Sequence, residues 1–137
     1  SCIEEINDDI LDNYQDIEKT INEEDDIIGE SSYSFAMNSS VASLMIKYYI
    51  FVPGSSSKKE EYYTYNISLD DEKILSGLEL LKLYSVDVEL LKETLKSEYK
   101  VNNVNISNVY LDKEEKINII FPISLEGKIL YKVYKIV

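Results

Sequence analysis

A chain of 137 residues, 45% hydrophobic and 29% charged, is long enough to bury a core, and one domain over 1–137 is expected. No run of about 18 apolar residues is present, so no spanning helix is read. The net charge of −12 argues against nucleic acid, whose binding needs cations to replace counterions on the phosphates. His is absent and Cys occurs once, which excludes histidine triads, Cys/His zinc sites and an internal disulfide.

The charge is concentrated at one end. Residues 1–30 hold 12 acids against Lys19, whereas the remainder carries 14 acids and 13 lysines. A cationic partner is the natural complement of such a stretch, and a merely solvated face is the alternative. Within it Ile3, Ile6, Ile10, Tyr14, Ile17 and Ile21 recur three or four apart, which predicts an amphipathic helix over 3–22 lying on a sheet. Ser1-Cys2 has the small-residue-then-cysteine order of lipidated bacterial proteins, so Cys2 is the lipidation candidate; no apolar signal segment precedes it. Membrane attachment is expected only there or through an anchor outside the chain.

Residues 23–32 read as a connection. Tyr33, Phe35 and Met37 then alternate in a short strand that breaks at Asn38. Ala42, Leu44, Ile46, Tyr48, Ile50 and Val52 give one face of a long strand. After the polar turn at Pro53 and Gly54, Tyr63, Tyr65, Ile67 and Leu69 give a second strand, pairing with the first as a hairpin. Ser76 with Glu79 predicts a capping box before a short helix, and Val88, Leu91, Leu95 and Tyr99 place a second helix at 85–99. Strands follow at 104–111, 117–125 and 129–133. The last two are joined by Glu126-Gly127, and Pro122 is expected at an edge or bulge because it cannot donate to a ladder. The order gives an α+β fold, a curved, largely antiparallel sheet with an N-terminal helix and a central helix packed on it.

Candidate chemistry is sparse. Asp25-Asp26, Asp70-Asp71-Glu72 and Glu114-Glu115 lack the spaced ligands of a calcium loop and read as solvated turns. Ser55-Ser56-Ser57-Lys58 matches a Ser-x-x-Lys spacing without the motifs that accompany that nucleophile. No enzyme, cofactor or metal is expected. The tyrosines at 48, 49, 62, 63 and 65 fall on two paired strands, so some line the core and the rest lie on the opposite face. Tyr49 and Tyr62, with Lys47, Thr64 and Asn66 at every second position, are the candidates for exposed aromatic anchors.

The series INDDILDNYQDIEKTI, YSFAMNSSVASLMIKYYIF and YYTYNISLDDEKILSGLELLK resembles an extracytoplasmic bacterial domain of largely uncharacterised function. That domain occurs in lysozyme-responsive anti-sigma factors of Gram-positive bacteria and ahead of the catalytic domain in some peptidoglycan polysaccharide deacetylases. The match rests on Tyr65-Asn66-Ile67-Ser68-Leu69 followed by Leu75 and Leu78 to Leu83. Where the family commonly has a Gly-Gly-x-His loop, this chain has Val52-Pro53-Gly54-Ser55-Ser56-Ser57. The resemblance implies an exported, cell-surface binding module for a basic, lysozyme-like protein or a cell-wall component. A non-catalytic accessory domain of a deacetylase and a structural spacer are the alternatives. Tyr49, Ser55, Ser56, Ser57, Glu60, Glu61 and Tyr62 are the expected partner-binding residues, aromatics beside a polar rim being the usual anchors.

Overall fold

The computed structural model describes residues 1–23, 27–54, 58–106 and 108–136. The chain opens with helix α1 (Cys2–Glu23). Strands β1 (Ile28–Met37), β2 (Val41–Phe51), β3 (Lys58–Ser68) and β4 (Lys73–Leu75) follow, then helices α2 (Gly77–Leu83) and α3 (Val88–Tyr99). Strands β5 (Asn108–Leu111), β6 (Ile117–Leu125) and β7 (Lys128–Lys135) complete the order. All pairings are antiparallel and the fold is α+β. The strands divide into two sheets, β1-β2-β3-β4 and β5-β6-β7, rather than forming one.

Alternation on β2 and β3 decides which helix meets which face. Ala42, Leu44, Ile46, Tyr48 and Ile50 share one face with Tyr63, Tyr65 and Ile67 across the register. α1 lies on this face through its apolar stripe: Ile6 and Ile17 are buried, and Ile17 joins Tyr48 and Ile50 in a small core. Gly29 lies where the last turn of α1 crosses β1, and a Cβ there would push the end of the Ile21 side chain aside. The Tyr65 hydroxyl donates to Asp9 (2.5 Å) and accepts from Asn13 Nδ2 (3.3 Å), fixing α1 over β3.

The opposite face of the four-stranded sheet carries Val41, Ser43, Asn66 and Ser68 at one end, all buried. Strand β5 lies edge-on to it. Leu111 N–H donates to Ser43 Oγ (2.9 Å), Asn66 Nδ2 donates to Val109 O (2.8 Å), and Ser43 Oγ donates to Asn66 Oδ1 (2.6 Å). Two side chains thus satisfy backbone groups on the outer edge of β5 that would otherwise be buried without partners.

Against the three-stranded sheet pack α2 and α3, where Leu80, Leu81, Leu91 and Leu95 meet Val109, Leu111, Ile117, Ile119 and Phe121 in the larger core. The capping box at α2 is present, with Glu79 N–H donating to Ser76 Oγ and Ser76 N–H donating to Glu79 Oε1. α3 starts three residues later than expected because Asp87 caps it, accepting from Leu90 N–H. The central helix therefore packs mainly with the smaller sheet, reaching Val41 and Leu75 of the larger one from the face opposite α1. Pro122 sits on the central strand of its sheet, but β5 stops at the partner of Ile120, so beyond it that side of β6 is an edge.

Candidate functional site

Beyond the part that β5 covers, the second face of the four-stranded sheet stays open and forms a shelf. Three successive cross-strand pairs run along it: Lys47 opposite Tyr62, Tyr49 opposite Glu60, and Phe51 opposite Lys58. Each rung sets an aromatic ring against a charge, and the three rungs extend about 13 Å at the rise of a β-strand. Lys47 Nζ lies 5.6 Å from the Tyr62 ring centroid, 5.8 Å from that of Tyr49 and 3.9 Å from Glu60 Oε1. Lys58 Nζ also lies 5.8 Å from the Tyr49 ring centroid. The rings of Tyr49 and Phe51 lie 5.2 Å apart, and Tyr62 meets Tyr131 of β7 at 5.3 Å.

These contacts set the chemistry of the shelf. The Tyr62 hydroxyl donates to Glu60 Oε2 at 2.8 Å. Burial first, and then this bond to a carboxylate, push it well above the ordinary phenol range, so it stays a donor at neutral pH. Hollows open on both sides. One of about 300 Å³ is lined by Glu30, Ser31, Ser32, Lys47 and Tyr49. The other, of about 340 Å³, lies between the start of β3 and Tyr131, with Lys58, Lys59 and Lys132 on its rim. Flat rings, a carboxylate and ammonium groups in fixed alternation can hold an extended ligand that offers apolar faces and hydrogen-bonding edges in turn.

Of the expected partner-binding residues, Tyr49, Glu60 and Tyr62 come together here. Tyr49 and Tyr62 face away from α1, as expected, but they are half-buried by each other's neighbours and by Tyr131 rather than exposed. Glu61 does not join them. It shares the α1 face with Tyr63, whose hydroxyl donates to it at 2.9 Å, and Lys59 Nζ lies 2.8 Å away. Burial raises the Glu61 carboxyl, but the bonds from Lys59 and Tyr63 outweigh it and hold the group below the usual carboxylate range. Ser55, Ser56 and Ser57 lie outside the described residues. Cys2 stands as a free thiol at the first turn of α1, remote in the sequence from the shelf strands.

Sequence reasoning missed Phe51, Lys58 and Tyr131. The first two share the parity of Tyr49 and Glu60 and were available from alternation alone; Tyr131 arrives only through the packing of the two sheets. Among the described residues no group of three or more Cys, Asp or Glu side chains is placed to hold a metal ion, and no helix is long and apolar enough to cross a membrane. Compared with family models, with curated proteins and with solved structures, the chain has no match.

Proposed function

We propose that the chain is a non-catalytic, extracytoplasmic binding module and that its shelf takes an extended polymer of the bacterial cell wall. The observation that carries the reading is the three-rung alternation of aromatic and charge, flanked by two open hollows. Sugar rings present apolar C–H faces that suit Tyr49 and Tyr62. The hydroxyls and carboxylates of a glycan and its peptide stems suit Glu60, Lys47 and Lys58. The extracytoplasmic setting rests on the sequence resemblance described above. Titration calorimetry with soluble peptidoglycan glycan fragments, near physiological ionic strength, tests it. Saturable binding that falls at least tenfold in Tyr62→Ala and Tyr49→Ala is the expected result, and binding indifferent to both substitutions contradicts it.

A basic, lysozyme-like protein is the second reading, favoured by the eight acids that α1 bears against Lys19. That helix occupies the face opposite the shelf, so the two ligands would meet different sides of the sheet. A protein held by α1 should lose affinity steeply as salt shortens the Debye length to about 8 Å. It should also be insensitive to Tyr62→Ala. A spacer domain, the third possibility, predicts no saturable binding on either face.

A further inference from the structure

The strands at the open ends of the two sheets, β1, β4 and β7, are not equally guarded. β4 is three residues long, and β7 carries Lys128, Lys132 and Lys135, devices that discourage pairing with another chain. β1 runs ten residues with no lysine and no proline, and Glu30 is its one charge. Asn38 N–H donates to Val41 O in the β1–β2 register, so the even residues of β1 bond to β2. The N–H and C=O groups of Ser31, Tyr33, Phe35 and Met37 therefore point outward along the open edge.

The side chains above that edge are apolar and open. Tyr33 is 76%, Phe35 45% and Met37 63% exposed, and from α1 Ile3, Leu11 and Tyr14 are 58%, 53% and 50% exposed. These α1 residues flank β1: Ile3 and Phe35 line one hollow, Tyr14 and Ser31 another, and Leu11 falls three residues from Tyr14 on the same side. The acids are divided between the flanks. Asp9 accepts from Tyr65 of β3, and Glu5, Asp12 and Asp16 stand three, four or seven residues from it on that far side. Glu18 lines the hollow with Tyr14 and Ser31, and Glu4 and Asp8 fall seven and three residues from Leu11 on the near side.

We infer that the occupant of this edge is a second copy of the chain, its β1 pairing antiparallel with this β1 across a two-fold axis normal to the sheet. Such pairing makes one continuous eight-stranded sheet and sets the two α1 helices side by side on one face, with Tyr33 and Phe35 beneath the Leu11 and Tyr14 flanks. Glu5, Asp9, Asp12 and Asp16 then face outward, away from the axis, whereas Glu4, Asp8 and Glu18 stand nearer the seam, so the apolar contact forms against a repulsion that physiological salt screens. The six apolar side chains expose about 700 Å² per copy at roughly 200 Å² for each fully open large side chain. That approaches the area of about 800 Å² that each partner contributes to a stable interface. Both shelves lie on the other face of the joined sheet, so the dimer would engage an extended polymer twice.

Sedimentation velocity of this chain at about 150 mM salt, from about 1 to 200 µM, tests the pairing. The mass should rise from 15.8 kDa towards twice that value with concentration, and Tyr33→Lys should remain monomeric throughout while keeping its circular dichroism. In the native chain, amide hydrogen exchange at Tyr33 and Phe35 should slow at least tenfold over the same range, while Ser34 and Ala36, already bonded to β2, change little. A monomer at every concentration overturns the inference, as does a dimer that survives Tyr33→Lys or forms without protecting these amides.

Discussion

The two faces of the four-stranded sheet are finished in different ways. On one, a single acidic helix rests on a small core of Ile17, Tyr48 and Ile50, and much of its attachment is polar, from Tyr65 to Asp9 and Asn13. On the other, half the face is closed by a second sheet and two helices that bury eleven residues in common, and the remaining half is left as an aromatic and charged shelf. Stability should follow the difference. The dry core on the second face sets the global unfolding free energy, whereas α1 can open locally at lower cost. Function should follow it too, since the shelf is built from strands anchored in the more stable half.

The largest effect is expected from Phe121→Ala. Its ring is fully buried and meets Tyr99 edge-on at 5.0 Å, so truncation should cost about 3–5 kcal/mol in urea unfolding. Asn66→Leu comes next, at about 2–3 kcal/mol, because it strands the Val109 carbonyl and removes the acceptor of Ser43 where the sheets meet. Either loss should melt the molecule as a whole. Faster hydrogen exchange in β6, whose amides open only with the whole molecule, with little change in the locally opening α1, is the signature; equal acceleration in both would break the account.

Asp112 gives the pH dependence. Burial alone would raise its carboxyl, but Asn118 Nδ2 (2.8 Å), the N–H groups of Lys116 and Glu114, and Lys135 outweigh it and bring it down to about 2. A carboxyl depressed in the folded state stabilises above its ordinary value near pH 4. That contribution disappears as pH falls through about 2. Asp112→Asn should therefore cost about 1–2 kcal/mol at neutral pH and almost nothing near pH 2, read from urea midpoints across that range. A penalty that does not shrink in acid would show that the charge plays no part.

The smallest effect sharpens the contrast. Tyr65→Phe removes the hydroxyl shared by Asp9 and Asn13 and should cost about 1 kcal/mol. Its mark should be regional, with faster amide exchange across α1 and unchanged rates in β6. Uniform acceleration would mean that α1 is not a separate unit.

Much of this was legible locally. The α1 stripe, the β2–β3 hairpin, the capping box at Ser76 and the turn at Glu126 and Gly127, both with positive φ, all follow from spacing within a few residues. The division into two sheets was not, because it depends on Ser43 and Asn66, which read as solvent-facing polar residues until the edge of β5 is brought against them. β4 is too short to alternate, and the start of β1 is hidden in the polar run Gly29-Glu30-Ser31-Ser32. At the site, parity on the two strands was enough to find the rungs and also to exclude Glu61, which alternates with Tyr63 and Tyr65. Tyr131 closes the shelf from 69 residues beyond Tyr62, through tertiary packing that no local pattern encodes.

The account stands most directly on which face a wall polymer touches. An NMR footprint with soluble peptidoglycan glycan fragments, read residue by residue, decides it. Shift changes that cluster at Lys47, Tyr49, Phe51, Lys58, Glu60, Tyr62 and Tyr131, with α1 silent, are the predicted result. Changes centred on Asp8, Asp12 and the rest of α1, or no saturable changes at all, would contradict it.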